Sequence, residues 1–91
     1  MHAVVSRVSI QSGHENESRE HLRNNVVPRV KQAPGLVGGY WLAPQDGKGF
    51  AFIVFETEDQ AKAAGDMARS APRPDAVTFD SIEVREVIEQ V

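Results

Sequence analysis

The sequence predicts an α+β domain in which four strands and two helices follow the order β-α-β-β-α-β. Three observations carry that prediction. The N-terminal stretch alternates in polarity as a strand does, and Asp46-Gly47 lies between two strand-like runs as a two-residue hairpin turn. Thr57-Glu58-Asp59-Gln60 then opens an alanine-rich stretch as a helix capping box.

His2 to Ile10 forms the first predicted strand, with Val4, Ser6, Val8 and Ile10 on one face and Ala3, Val5, Arg7 and Ser9 on the other. Gln11 to His14 is a polar break. Glu15 to Ala33 reads as a helix, because Leu22, Val26, Val30 and Ala33 recur at helical spacing and make one apolar stripe. Glu15 and Glu17 near its start, and Arg29 and Lys31 near its end, suit the helix dipole. Pro28 withdraws the donor that the Asn24 carbonyl needs, so a kink is expected there.

Leu36 to Ala43 and Lys48 to Glu56 are the second and third strands, joined through Asp46-Gly47. A regular ladder from that turn sets Trp41 opposite Phe52, Tyr40 opposite Ile53 and Ala43 opposite Phe50. One sheet face then holds Val37, Trp41, Phe50, Phe52 and Val54. The other holds Tyr40, Leu42, Ala51, Ile53 and Phe55. Gly38-Gly39 marks a bulge or a close approach of backbones, since no helix follows to make it a phosphate loop.

The second helix runs from the capping box to about Ser70, and its packing residues are light: Ala61, Ala64, Met67, Ala68 and Ala71. From Ala76 to Val91 the pattern is mixed. Ile82-Glu83-Val84-Arg85 alternates as a strand, whereas Val84, Val87, Ile88 and Val91 fit a helical stripe. The β-branched content favours a strand with a bulge near Glu86. These elements make a ferredoxin-like β-α-β-β-α-β domain over residues 1–91, with a four-stranded antiparallel sheet and both helices on one side.

Composition bounds the function. The chain has 91 residues, enough for one small core, with 41% hydrophobic and 25% charged residues. The absence of cysteine excludes disulfides and thiolate metal sites. The stretch MHAVVSRVSI is too short and polar for a signal peptide, and no apolar run reaches spanning length, so no membrane role and a cytoplasmic location are expected. A net charge of −3 weighs against nucleic acid as the partner. Yet the third strand is apolar at every position from Phe50 to Phe55, so both of its faces call for burial. Trp41, Phe50 and Phe52 would leave an aromatic patch of roughly several hundred Å² on the face without helices, the size that marks an interaction site.

Two families compete for that patch. Lys48-Gly49-Phe50-Ala51-Phe52-Ile53-Val54-Phe55 resembles the ribonucleoprotein octamer of RNA-recognition motifs. That resemblance implies a module for single-stranded RNA in which Lys48 meets phosphate while Phe50 and Phe52 stack on bases. The first strand, Val4-Val5-Ser6-Arg7-Val8, lacks the aromatic that completes such a platform.

A larger share of the chain resembles the dimeric α+β-barrel superfamily, in particular the small antibiotic-biosynthesis monooxygenases. The resemblance is carried by Val26-Val27-Pro28-Arg29-Val30, by Ala33-Pro34-Gly35-Leu36-Val37-Gly38-Gly39-Tyr40-Trp41, by Val54-Phe55-Glu56-Thr57-Glu58-Asp59-Gln60-Ala61 and by Ile82-Glu83-Val84-Arg85-Glu86-Val87. It implies a homodimer closed through the open sheet faces, with Trp41, Phe50, Phe52 and Val54 at the interface. It also implies a pocket for a small apolar or aromatic ligand between sheet and helices, or cofactor-independent oxygenation there.

Haem-degrading members of that superfamily use an asparagine on strand one, a tryptophan at the end of strand three and a histidine on helix two. The corresponding places here hold Ser6, Phe55 and the stretch around Gly65, so no cofactor is expected. Pocket candidates are Arg7, His21, Tyr40 and Phe55. Arg7 suits a ligand carboxylate or an interface ion pair with Glu83. His21 suits a pocket base or a solvent-side histidine, and Tyr40 a ligand donor or a core residue. His2 and His14 have no carboxylate at a metal-binding spacing, no metal is expected, and no catalytic residue is identifiable.

Overall fold

The computed structural model describes all of residues 1–91. Strand β1 (His2–Ile10) leads into a first helix of three continuous segments: α1 (Glu15–His21), a π-helical turn (Leu22–Val26) and α2 (Val27–Lys31). The chain then forms β2 (Leu36–Gln45), β3 (Lys48–Phe55), α3 (Glu58–Ser70) and β4 (Val77–Glu86). The strands make one antiparallel sheet in the order β2-β3-β1-β4, which is the ferredoxin-like arrangement. Val4, Ala51, Ile53 and Phe55 from one sheet face form the core with Ala61 of α3, and Val30 of α2 and Ala33 just beyond it pack against it. No helix is long and apolar enough to cross a membrane.

Pro28 shapes the first helix without breaking it. The Asn24 carbonyl cannot receive an α-helical bond from a residue that has no N–H. The preceding turn widens instead, and the Val27 N–H reaches the Leu22 carbonyl in a π-helical bond. The kink expected at the proline therefore becomes a π turn one step before it. Helix α3 starts on the expected capping box: the Gln60 N–H donates to Thr57 Oγ1, and the Thr57 N–H donates to Gln60 Oε1, both at 3.2 Å.

The β2-β3 register differs from a regular ladder. Asp46 and Gly47 both have positive φ, 52° and 74°, as a tight two-residue hairpin turn requires, and Gln45 pairs with Lys48 across it. The next aligned pair is Leu42 with Phe50, so β2 holds one extra residue at Ala43-Pro44. Proline cannot donate to a ladder, and a bulge is a place where a strand tolerates it. The extra residue turns over every upstream side chain. Tyr40 thus pairs with Phe52 and Trp41 with Ala51, which corrects the expected pairings of Trp41 with Phe52 and Tyr40 with Ile53. Leu42 moves to the open face along with Tyr40. A second irregularity, between Leu36 and Gly38, leaves Val37 unpaired. Beside it the Gly39 backbone lies so close to Ile53 that a Cβ there would meet Ile53 Cγ1 at 2.9 Å.

The bulge expected in β4 near Glu86 lies instead at Asp80, since Phe79 pairs with Val8 and Ser81 with Arg7. The freed Asp80 carboxylate accepts a hydrogen bond from Ser9 Oγ at 2.7 Å, and Lys48 Nζ donates to the same Oγ at 2.6 Å. Beyond Glu86 the chain is irregular, so neither a longer strand nor the alternative helical stripe forms.

Ala61 has no exposed surface, so the approach of α3 to the sheet depends on its small side chain. Ala61→Leu should destabilise the fold by about 1–3 kcal/mol through overpacking. Thr57→Ala, which only removes the cap, should cost about 1 kcal/mol. Urea denaturation of the two variants checks both values.

Candidate functional site

The two helices treat the sheet differently. Helix α3 presents Ala61, Ala64, Gly65 and Ala68, and at buried Gly65 a Cβ would already meet Ile82 and Val4 at 3.6 and 3.9 Å. Small residues let that backbone settle close to the strands. The first helix presents larger side chains, Leu22, Val26 and Val30, and none of its three segments contains a buried residue. Its apolar stripe is only half-covered. The first helix stands off the sheet while α3 lies on it.

The space between is a cavity of about 210 Å³. Its floor is the helix-side face of the sheet, including Val4, Val8, Trp41, Ile53 and Phe55. Leu22, Val26 and Val30 roof it on one side, and Ala64 and Ala68 on the other. Polar groups gather on the helical side and at the mouth: Glu15, Ser18, Arg19, His21, Arg29 and Arg73. None of the three arginines forms an ion pair. Arg73 lies over the Phe79 ring at 5.0 Å. Asn25 Nδ2 donates to His21 Nδ1 at 3.2 Å, which leaves the proton of a neutral imidazole on Nε2. An apolar chamber with convergent donors at its edge is the usual form of a small-molecule site.

The other sheet face has no helix. Tyr40, Phe50 and Phe52 are 69%, 40% and 39% exposed on it, with Leu42 alongside. The Tyr40 and Phe52 rings lie 6.3 Å apart at a tilt, and the Arg7 guanidinium sits 4.8 Å over Phe50.

The expected site residues are therefore divided. His21 and Phe55 line the cavity, Phe55 as a core side chain. Tyr40 and Arg7 lie on the open face, so a cavity role expected for either does not follow from its position. Arg7 is also not paired with Glu83, whose carboxylate takes Arg85 at 3.2 Å. Phe50, Phe52 and Val54 share the open face with the Tyr40 row, whereas Trp41 lies on the cavity floor. Reading from the residues alone missed Trp41, Arg19 and Arg73 as cavity groups. Pro44 was the available signal for Trp41, because it marks the bulge that sets the register.

No family model matches the chain, and no curated protein matches it. Two solved structures do. One is the haem-degrader MhuD from Mycobacterium tuberculosis with two haems in its active site, at a TM-score of 0.77 and 19% identity over 100% of this chain and 99% of that one. The other is a MhuD mutant with two manganese protoporphyrin IX molecules bound per active site, at a TM-score of 0.76 and 19% identity over 100% of this chain and 98% of that one. The chain thus shares with these structures the β-α-β-β-α-β fold with a four-stranded antiparallel sheet that the sequence predicts.

An iron ligand for haem is present on one side of the cavity alone. The cavity-facing side of α3 is Ala64 and Ala68 and offers no iron ligand. The one imidazole lining the cavity, His21, belongs to the opposite helix. No three His, Asp or Glu side chains are grouped so as to hold a metal ion.

Because the first helix leaves space that α3 does not, the two should tolerate bulk differently. Val26→Phe should change stability by less than about 1 kcal/mol, well below the overpacking range expected at Ala61. The difference between the two urea midpoints measures it.

Proposed function

We propose that this protein is a homodimer that pairs through its open sheet faces into an α+β barrel and binds a small apolar or aromatic ligand beneath its first helix. The single observation that carries the reading is the disposition of β3. Its Ala51, Ile53 and Phe55 side is buried under the helices, while its Phe50 and Phe52 side remains uncovered. An exposed row of Tyr40, Leu42, Phe50 and Phe52 is the kind of patch that a second apolar surface covers. A second copy brings the same row, and two-fold pairing is self-complementary. The likeness in fold to porphyrin-binding proteins supports the cavity as the ligand site.

The open face suits RNA less well. Its β1 residues, Ala3, Val5 and Arg7, supply no aromatic, and the Arg7 guanidinium already occupies one face of Phe50. Oxygenation of an activated aromatic ligand in the cavity is the enzymatic form of this proposal. It needs a proton acceptor, and His21 has its acceptor nitrogen engaged by Asn25. Binding is therefore preferred to catalysis.

Sedimentation at micromolar concentration tests the pairing. The native chain should sediment as a dimer, and Phe52→Asp should give a folded monomer, because a buried unpaired carboxylate opposes association. A monomeric native chain, or a Phe52→Asp dimer of unchanged affinity, would contradict the proposal.

A further inference from the structure

We infer that the ligand of the cavity is an organic acid with a one- or two-ring apolar body, its carboxylate held at the mouth by Arg19 and Arg73. This rests on the reading of the cavity as a ligand site and adds the chemical class.

The cavity favours a small occupant. About 210 Å³ lies below the roughly 300–1,000 Å³ of sites for drug-sized molecules. A fused pair of rings suits a chamber near the small end of that range. The interior asks for an apolar body, since Val4, Val8, Ile53, Val26 and Trp41 surround it.

The charge of the mouth asks for an anion. The Ile10 N–H, at the end of β1, donates to the Gly47 carbonyl of the β2-β3 turn, so α1 begins at the hairpin end of the sheet. Helix α3 runs from the end of β3 back to the same end, where Val77 pairs with Ile10. Arg19 near the start of α1 and Arg73 just after α3 therefore lie at the same end of the cavity, Arg19 towards β2 and Arg73 over Phe79 of β4. Both line the cavity, and neither has a carboxylate partner. Glu15 lines the same opening, which leaves two cations against one anion. The guanidinium of Arg73 is held in place against Phe79, so little order remains to be imposed when it binds. The Nε2–H of His21 and the Ser18 hydroxyl are further donors along the α1 wall. Arg29 lies about ten residues, or roughly 15 Å, farther along the helix and cannot share the same carboxylate. A guanidinium matches a carboxylate in two parallel hydrogen bonds.

Trp41 is the chain's single tryptophan, so its indole N–H gives one resonance that reports on the cavity floor. The native protein is titrated with naphthoate and, separately, with the neutral naphthalenemethanol. Naphthoate should shift the indole resonance saturably and bind about tenfold more tightly than the alcohol, the effect of about one charge-assisted hydrogen bond. The double variant Arg19→Met with Arg73→Met keeps the apolar stems and removes both charges. It should lower the acid's affinity to that of the alcohol, with the dispersed amide spectrum confirming the fold. Equal affinity of acid and alcohol for the native protein would overturn the acid assignment while leaving the cavity as a ligand site. A preference that survives the double variant would overturn the role of the two arginines. If neither compound moves the resonance, the cavity reading and the acid assignment fall together.

Discussion

The structure depends on one constraint: β3 is apolar on both faces, and the helices cover only one of them. On one side Ala51, Ile53 and Phe55 meet α3 and the end of the first helix in a small dry core. On the other, Phe50 and Phe52 stay about two-fifths exposed in the single chain. A domain of this size has little apolar surface to leave in water. The same strand therefore organises the fold, presents the uncovered aromatic face and forms part of the cavity floor. Helix packing completes the arrangement. Alanine and glycine let α3 sit against β1 and β4, while leucine and valine on the first helix hold a space open.

Much of this was legible in the residues. The boundaries of β1 and β3, the hairpin at Asp46-Gly47 and the capping box at Thr57 follow from local chemistry, and local chemistry decided them. The faces of β2 did not follow. Strand alternation assigns sides only while the ladder is regular, and one extra residue at Ala43-Pro44 exchanges Tyr40 and Trp41. Trp41 then belongs to the ligand chamber and Tyr40 to the open face. Likewise, the bulge in β4 sits where Asp80 can turn to Ser9, a long-range contact that no local pattern encodes. The cavity is similarly non-local. It arises from the unequal reach of two helices that are far apart in sequence.

The solved structures with this fold carry two porphyrins in one active site. At 19% identity the backbone plan is shared, while the side chains that would select a ligand are this chain's own. Here the α3 wall is Ala64 and Ala68, the first helix contributes the larger side chains, and the polar lining carries three arginines against one glutamate.

The claim that both faces of β3 are covered is tested most directly by isotope-filtered nuclear Overhauser spectroscopy on a mixture of labelled and unlabelled protein. The Tyr40, Phe50 and Phe52 ring protons should show contacts from one subunit to the other, because a twin sheet lies against them. If those rings give only intramolecular contacts at concentrations where the protein is otherwise well folded, β3 is covered once, and the account built on its second face is wrong.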